Sequence, residues 1–301
     1  MLRIALFTGR FLKNRPRKTD DPFRLTPFVN PWIETVGVIA LAGAAAVAAR
    51  RLSDMPRPYW TATYALSAAI LIMMWLGRSY SALSLVPPVS WIAAGRTKFA
   101  LVAVVPVIML VPLFHSTRSR RVQFYGTIFL CLLVGLYAIW PFAACATNRG
   151  YLNSMPTRFD RYGVCLQSTD YTCGPAAAVT ALRLLGIRGE EGKIAIASHT
   201  SSAIGTPPAM LCEGLRSLYF TNALKCELQY FERLSDLPKG APILAVIKYT
   251  IVEDHYVVIL DITPRHVIVA DSNRGKVAYS HELFLKRWRK LGIVMSRTER
   301  V

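Results

Sequence analysis

The first half of the chain alternates long apolar runs with short polar segments. The apolar runs cover residues 32–49, 59–77, 99–114 and 122–146. A helix needs about 20 mostly apolar residues to cross about 30 Å of hydrocarbon. The pattern therefore predicts a membrane domain of about four transmembrane helices within residues 1–149. The third run is short and contains Pro106 and Pro112, so a kink or a start before Lys98 is expected there.

Charge strengthens the membrane interpretation. Residues 1–149 hold 17 lysines and arginines and four acidic residues, so this half carries 17 − 4 = +13 of the net +18. A basic excess can indicate nucleic-acid binding, but here the charges lie between apolar runs, which is typical of membrane topology. The lipid bilayer is the predicted partner, and no nucleic-acid partner is expected.

The distribution of basic residues also predicts an orientation. With four spans, a basic N-terminal tail, the second loop and the segment after the last span share one side and hold 13 lysines and arginines, against six on the other side. Cytoplasmic segments carry the basic excess. We expect an integral protein of the inner or plasma membrane with the C-terminal half in the cytoplasm, unless the third run fails to cross.

The second half, residues 150–301, has the pattern of a mixed α+β domain that follows a polar linker. Helices are predicted over 173–185, 190–198 and 208–218, and strands over 224–231, 243–249, 255–260, 266–271 and 276–279. Ser280 is the predicted N-cap of a last helix over 281–289. Helices followed by strands predict one antiparallel sheet with helices on it and a cleft between the layers.

Candidate chemistry begins at residues 167–175, Gln-Ser-Thr-Asp-Tyr-Thr-Cys-Gly-Pro, which lead into an apolar helix. Cys173 falls in the first helical turn, where partial positive charge and unpaired N–H groups favour a thiolate. Gln167 can offer its amide to the oxyanion that forms when a thiolate attacks a carbonyl. Gly174 is expected to let a substrate approach the backbone closely.

A thiolate nucleophile uses an imidazole to move protons and a carboxylate to orient the imidazole. His255 opens one predicted strand and Asp271 closes the next, so the two can meet across an antiparallel pair. His266 lies at the opposite end of the strand that Asp271 closes, and His255 is therefore preferred.

Other polar residues stay open as weaker alternatives. Three more histidines are expected at interfacial or solvated positions, namely His115, His199 and His281. Asp170 and Asp254 are alternative carboxylates, both in predicted turns.

Gln167, Cys173-Gly174-Pro175, and the strands that begin at His255 and end at Asp271 resemble the bacteriocin-processing cysteine peptidases that cleave double-glycine leaders. This is family 39 of the cysteine peptidases, which has a papain-like fold, and the resemblance covers about residues 160–292. It implies that Cys173 is the nucleophile, His255 the general base and acid, Asp271 the orienting carboxylate and Gln167 the oxyanion donor.

Two features depart from that family. In its exporters the peptidase precedes the membrane domain and an ATPase follows, whereas here the apolar runs come first and no GxxxxGK[ST] phosphate loop is present. A separate exporter is therefore an open partner. Ser272 follows Asp271 where the family often has proline, which is expected to alter the turn rather than the chemistry. No cofactor is expected, and no cysteine or histidine spacing indicates a metal site.

The leading hypothesis is a membrane-anchored cysteine peptidase that hydrolyses a peptide bond in a peptide or protein substrate. An amidase, transpeptidase or acyltransferase would use the same thioester chemistry with another acceptor. A non-catalytic peptide-binding membrane protein is the third hypothesis.

Overall fold

The structure is a computed structural model that describes residues 31–86, 89, 95–115, 117–250 and 253–297. The predicted basic tail, residues 1–30, lies outside the described residues.

The apolar runs of the first half are helical. They form α1 (Pro31–Ser53), α2 (Arg57–Ser79), α3 (Gly95–His115), and a continuous stretch made of α4 (Arg120–Val134), a π-helical turn (Gly135–Ile139) and α5 (Trp140–Thr147). As expected, α3 begins before Lys98, and it includes both prolines. Pro141 lies just after the π-helical turn and has no N–H to continue the regular ladder, which accounts for the change in helical pitch.

Two of these helices are long and apolar enough to cross a bilayer within the described residues. They are Thr35–Ser53, with a mean hydropathy of 1.5, and Arg120–Thr147, with a mean hydropathy of 2.2. The apolar described parts of the other two, Tyr64–Ser79 and Ala103–His115, are shorter. The four predicted runs are therefore confirmed as helices, while the number that cross a membrane stays a prediction.

The helices pack around a core rich in alanine and valine. Its buried members come from α1, α3 and the α4–α5 stretch: Val38, Ala45, Ala103, Val107, Leu130, Val134, Ala138 and Phe142. Small side chains let the helix backbones approach closely.

The rest of the chain is α+β, as predicted. A short helix, α6 (Arg149–Asn153), occupies the expected linker, and β1 (Arg158–Phe159) pairs with β2 (Cys165–Leu166). Three helices follow: α7 (Cys173–Leu184), α8 (Glu191–Ala197) and α9 (Pro208–Leu218). The strands are β3 (Leu224–Tyr230), β4 (Ile243–Lys248), β5 (Asp254–Ile262), β6 (His266–Asp271), β7 (Gly275–Ser280) and β8 (Trp288–Arg297), with α10 (His281–Arg287) before β8.

The six strands form one antiparallel sheet in the order β3-β8-β4-β5-β6-β7. One face packs against α7 and α9 through residues such as Leu182, Leu211 and Val258. The other face has a second core that includes Phe284 of α10. The N-terminus of α7 is thereby held over the sheet, close to the start of β5.

Strand β8 was not predicted. The sequence pattern favoured a helix to residue 289, but the helix ends at Arg287 and Trp288 begins a strand between β3 and β4. Lys290 has a φ of +58° and the β4–β8 register shifts between Ala245 and Ile247. Such an irregular start hides the two-residue period that would have indicated a strand.

Candidate active site

Cys173 is the first residue of α7 and lies at the edge of the core between helix and sheet. Its side chain is buried, with 8% exposed. Its thiol is a side-chain hydrogen-bond partner of the His255 imidazole and helps to raise the pKa of His255. Cys165, the nearest cysteine in sequence, differs from it, because burial and the Glu191 carboxylate raise the pKa of Cys165 to about 12. That thiol stays protonated and is structural.

The register of β5 against β6 brings His255 and Asp271 together. Val257 lies directly opposite Asp271, and His255 precedes Val257 by two residues on the same strand. The histidine is therefore the diagonal neighbour of the carboxylate, a separation that long side chains span. The His255 Nε2 atom lies 2.8 Å from Asp271 Oδ1, and both residues are buried.

This contact determines the role of each ring nitrogen. A carboxylate can only accept a hydrogen bond, so Nε2 carries a proton and donates a hydrogen bond to Asp271. Nδ1 is then left to exchange a proton with the thiol. Burial alone would lower the pKa of His255, but the hydrogen bonds with Asp271 and Cys173 outweigh it and raise the pKa from 6.5 to about 9. The raised pKa favours the protonated imidazole at neutral pH.

Asp271 is held as an anion by its neighbours. Burial alone would raise the pKa of Asp271, but the hydrogen bond and charge of His255 outweigh it and lower the pKa below 3.8. The backbone N–H of Asn273 also donates to Asp271 Oδ1 at 2.8 Å. Two donors on one oxygen fix the carboxylate, and the imidazole is oriented as a result.

The Gln167 side chain lies beside the same turn. Its Nε2 donates to the Thr169 carbonyl at 2.7 Å, and its Oε1 accepts from Ser272 Oγ at 2.8 Å. Its backbone N–H donates to the Ser272 carbonyl at 3.0 Å. The hydroxyl contact was not expected from the sequence, which indicated only a change of turn at position 272.

The alternative residues lie elsewhere. His266 is exposed at the far end of β6, opposite Ser280, and Asp170 is exposed in its loop. Asp254 accepts from Arg78 and from Arg289 Nε, the latter at 2.9 Å. These three residues are therefore not part of the cluster of Cys173, His255 and Asp271.

Two further histidines can be compared with the expectation of solvated positions. His199 is buried, with 5% exposed, in a loop where it adopts a φ of +51°. The expectation for His199 is therefore wrong, because its polar loop is covered by the end of α5, where Cys145 Sγ lies 2.8 Å from its carbonyl. His281 is partly buried and its Nε2 lies 2.9 Å from the Thr263 carbonyl.

Sequence reasoning missed Glu191, which is fully buried behind the Gln167 loop. Its two carboxylate oxygens each lie 2.8 Å from Ser168, one from the backbone N–H and the other from the hydroxyl. A glutamate at a helix start is common, and nothing in the local pattern distinguishes this one.

Gly174 lies in a closely packed part of the core. A Cβ there would lie 3.2–3.3 Å from Thr206, Leu211 and Tyr256 side chains, so the glycine allows close packing of α7.

The second half of the chain, which contains this cluster, matches a known protein family. Residues 161–300 match the family model described as the Peptidase C39 family. An uncharacterized protein of Methanothermobacter thermautotrophicus is 32% identical over 125 residues, which cover 40% of this chain and 79% of that protein. The chain belongs to the Peptidase C39 family. A second uncharacterized protein, from Methanothermobacter marburgensis, is 27% identical over 133 residues, or 44% of this chain and 87% of that protein.

Two of the solved structures similar to this Peptidase C39 chain come from transporters. The peptidase domain of Streptococcus ComA, a bi-functional ABC transporter, has a TM-score of 0.38 and 21% identity over 44% of this chain and 96% of that domain. A double glycine motif protease from an AMS/PCAT transporter, in complex with the leader peptide, has a TM-score of 0.39 and 14% identity over 48% and 93% of the two chains.

Proposed function

We propose that the chain is a membrane-anchored cysteine peptidase, with residues 150–301 as a papain-like peptidase domain and residues 1–149 as its membrane domain. Cys173, His255 and Asp271 form the catalytic triad, and Gln167 donates to the oxyanion. The main support is the cluster in which a cysteine at a helix N-terminus contacts a buried imidazole that is itself bonded to a buried carboxylate.

The catalytic cycle follows from that geometry. The Cys173 sulfur attacks the scissile carbonyl carbon, and the carbonyl oxygen becomes an oxyanion that accepts an N–H of Gln167. His255 gives its Nδ1 proton to the leaving amine as the tetrahedral intermediate collapses to a thioester. Nδ1 then takes a proton from water, which attacks the thioester and releases the acid. Asp271 keeps the Nε2 proton in place throughout.

Exposed apolar side chains support the membrane anchor. On the outer surface of the helices, Ile33, Trp75, Phe124 and Leu132 are about 60% exposed, at 65%, 63%, 62% and 59%. The core helices of soluble proteins bury such residues, and soluble monomers rarely expose large apolar patches. Hydrocarbon is the solvent in which these surfaces are stable.

The helix ends support an even number of crossings. His115 Nε2 lies 3.8 Å from Asp54 Oδ1, which places the ends of α1 and α3 together. At the opposite ends, Arg78 of α2 contacts Asp254, and Cys145 of α5 contacts His199. Helix α3 therefore runs the full way between the two ends, as a crossing helix does. With the basic residues concentrated on the peptidase side, we place that side in the cytoplasm.

The substrate class is a peptide or an unstructured segment of a protein. The similar transporter protease was solved with a leader peptide, so a double-glycine leader is one substrate to test, with a separate exporter as a partner. The membrane domain would hold the cleft near the bilayer surface, where an exported peptide would pass.

The deciding experiment compares the wild type with Cys173→Ala. The full chain in detergent micelles is incubated with a peptide panel that includes double-glycine leader peptides, and cleavage is followed by mass spectrometry. Cys173→Ala should lose at least about 10³-fold of the activity, because it removes the nucleophile. Cys131→Ala, which removes an exposed cysteine of α4, is the matched control and should retain activity. Equal cleavage by Cys173→Ala and wild type would refute the assignment.

The same assay separates the two other hypotheses. Added amines would appear in the products of an acyltransferase or transpeptidase, because they compete with water for the thioester. A peptide-binding protein without catalysis would retain its peptide uncleaved and would leave Cys173 unacylated.

A further inference from the structure

Ser272 makes two contacts with one residue of the candidate site. It follows Asp271 directly, is 2% exposed, and its hydroxyl lies 2.8 Å from Gln167 Oε1. Its carbonyl accepts the Gln167 backbone N–H at 3.0 Å. The two residues are 105 positions apart in the sequence. They meet because the loop before α7 packs against the turn that follows β6.

The polarity of the contact follows from the other end of the amide. The Thr169 carbonyl, 2.7 Å away, can only accept a hydrogen bond, so the NH₂ group of Gln167 must face it. The oxygen of the amide then faces Ser272, whose hydroxyl must be the donor. One N–H of the NH₂ group is used by Thr169, and the second remains to bind another acceptor.

We propose that Ser272 is a positioning residue, whose hydroxyl fixes the Gln167 amide so that its second N–H is directed at the oxyanion. This inference rests on the proposed peptidase function. In this proposal one turn orients two side chains of the site, because Asp271 orients His255 and Ser272 orients Gln167. Without the hydroxyl, the amide would be held at one end only and would spend part of its time turned away.

The test uses two small reagents that differ in whether an oxyanion forms. With 4-nitrophenyl acetate, the thiolate attacks the carbonyl carbon, the π electrons move to oxygen, and collapse expels 4-nitrophenolate to leave an acetyl thioester. With iodoacetamide, the thiolate displaces iodide from a saturated carbon, and no oxyanion forms. Both rates are measured at Cys173 by mass spectrometry on the full chain in detergent micelles.

Ser272→Ala should slow acylation about 3- to 10-fold, the range expected for one lost hydrogen bond. Alkylation should stay within about twofold, since the thiolate is unchanged. Gln167→Ala should slow acylation about 10²-fold, as loss of an oxyanion donor does. Adding Ser272→Ala to Gln167→Ala should cause no further loss, because the residue to be positioned is gone.

Several results would overturn the proposal. Equal slowing of both reactions by Ser272→Ala would show a general effect on the thiolate or on the fold, and so would a further loss in the Gln167→Ala background. No effect of Ser272→Ala on either rate would also refute it while leaving the peptidase assignment intact. If wild-type Cys173 reacts with neither reagent faster than the buried Cys212, the proposed function itself fails.

Discussion

The pKa of His255 is raised because the effects of its two partners outweigh the cost of burial. Asp271 on one side and Cys173 on the other raise the pKa of His255 to about 9, although burial alone would lower it. A buried cation without its partner would be strongly destabilising. The raised pKa of His255 therefore links the stability of the fold to pH.

The pH dependence of stability should reveal this link. Because the folded pKa of about 9 lies above the ordinary 6.5, the contribution of His255 is fully present below pH 6.5 and is lost as pH rises through about 9. The thermal unfolding midpoint of the wild type should fall over that window. Asp271→Asn removes the carboxylate that raises the pKa, so its midpoint should fall less. Parallel curves for the two proteins would contradict this account.

At the scale of elements, the site depends on a loop and a helix that contribute no reacting group. The 167–172 loop carries Gln167, and α8 supports it through the fully buried Glu191, whose carboxylate binds the Ser168 N–H and hydroxyl. The residue before this helix, Glu190, is exposed and pairs with Lys193 at 2.9 Å. We therefore expect the two adjacent glutamates to contribute differently to the free energy of unfolding.

This contrast makes a matched pair of variants. Glu191→Ala should destabilise the protein by about 1–3 kcal/mol, because it removes the two hydrogen bonds that the buried carboxylate accepts from Ser168. Glu190→Ala should cost about 1 kcal/mol or less, since exposed ion pairs contribute little. Thermal unfolding of the two variants measures the difference. Equal losses would show that the buried carboxylate does not carry the loop.

At the scale of the whole molecule, the helices contact the peptidase part close to its reacting residues. Arg78, at the end of α2, pairs with Asp254, the residue before His255, and Arg289 of β8 binds the same carboxylate. Ile204 of the loop after α8 packs against the core of the helices. The helices of the first half therefore border the strand that carries His255.

Charge reversal should break this contact. Arg78→Glu places like charges beside each other and should lower the thermal unfolding midpoint, whereas Arg78→Gln removes only a partly exposed attraction worth about 1 kcal/mol or less. Arg118→Glu makes the same charge change in an exposed loop and is the control. If Arg118→Glu is as damaging as Arg78→Glu, the contact with Asp254 is not the cause.

The membrane topology of the chain can be tested by labelling introduced cysteines. In a Cys131→Ala background, Asp54→Cys and Ser119→Cys, both exposed, should react with a membrane-impermeant maleimide on intact cells. Lys239→Cys should react only after permeabilisation, because we propose from the basic excess that the peptidase side faces the cytoplasm. Labelling of position 239 in intact cells would reverse the orientation. Labelling of positions 54 and 119 from different sides would exclude four crossings.

The sequence by itself determined the features that a short window of residues encodes. The apolar runs gave the four helices, and the first helix of the second half begins at Cys173 as its motif predicts. Strand β8 was missed because its irregular start at Lys290 masks the alternating pattern of a strand. Its place between β3 and β4 is visible only in the folded sheet.

The tertiary structure decided which distant residues meet. The diagonal contact of His255 with Asp271 depends on the register of β5 against β6. The order of the strands in the sequence allows this contact but does not specify it. The contacts of Gln167 with Ser272 and of Arg78 with Asp254 join residues 105 and 176 positions apart. Local periodicity fixes helices and strands because neighbours in sequence interact directly, whereas such contacts depend on how every element between them packs.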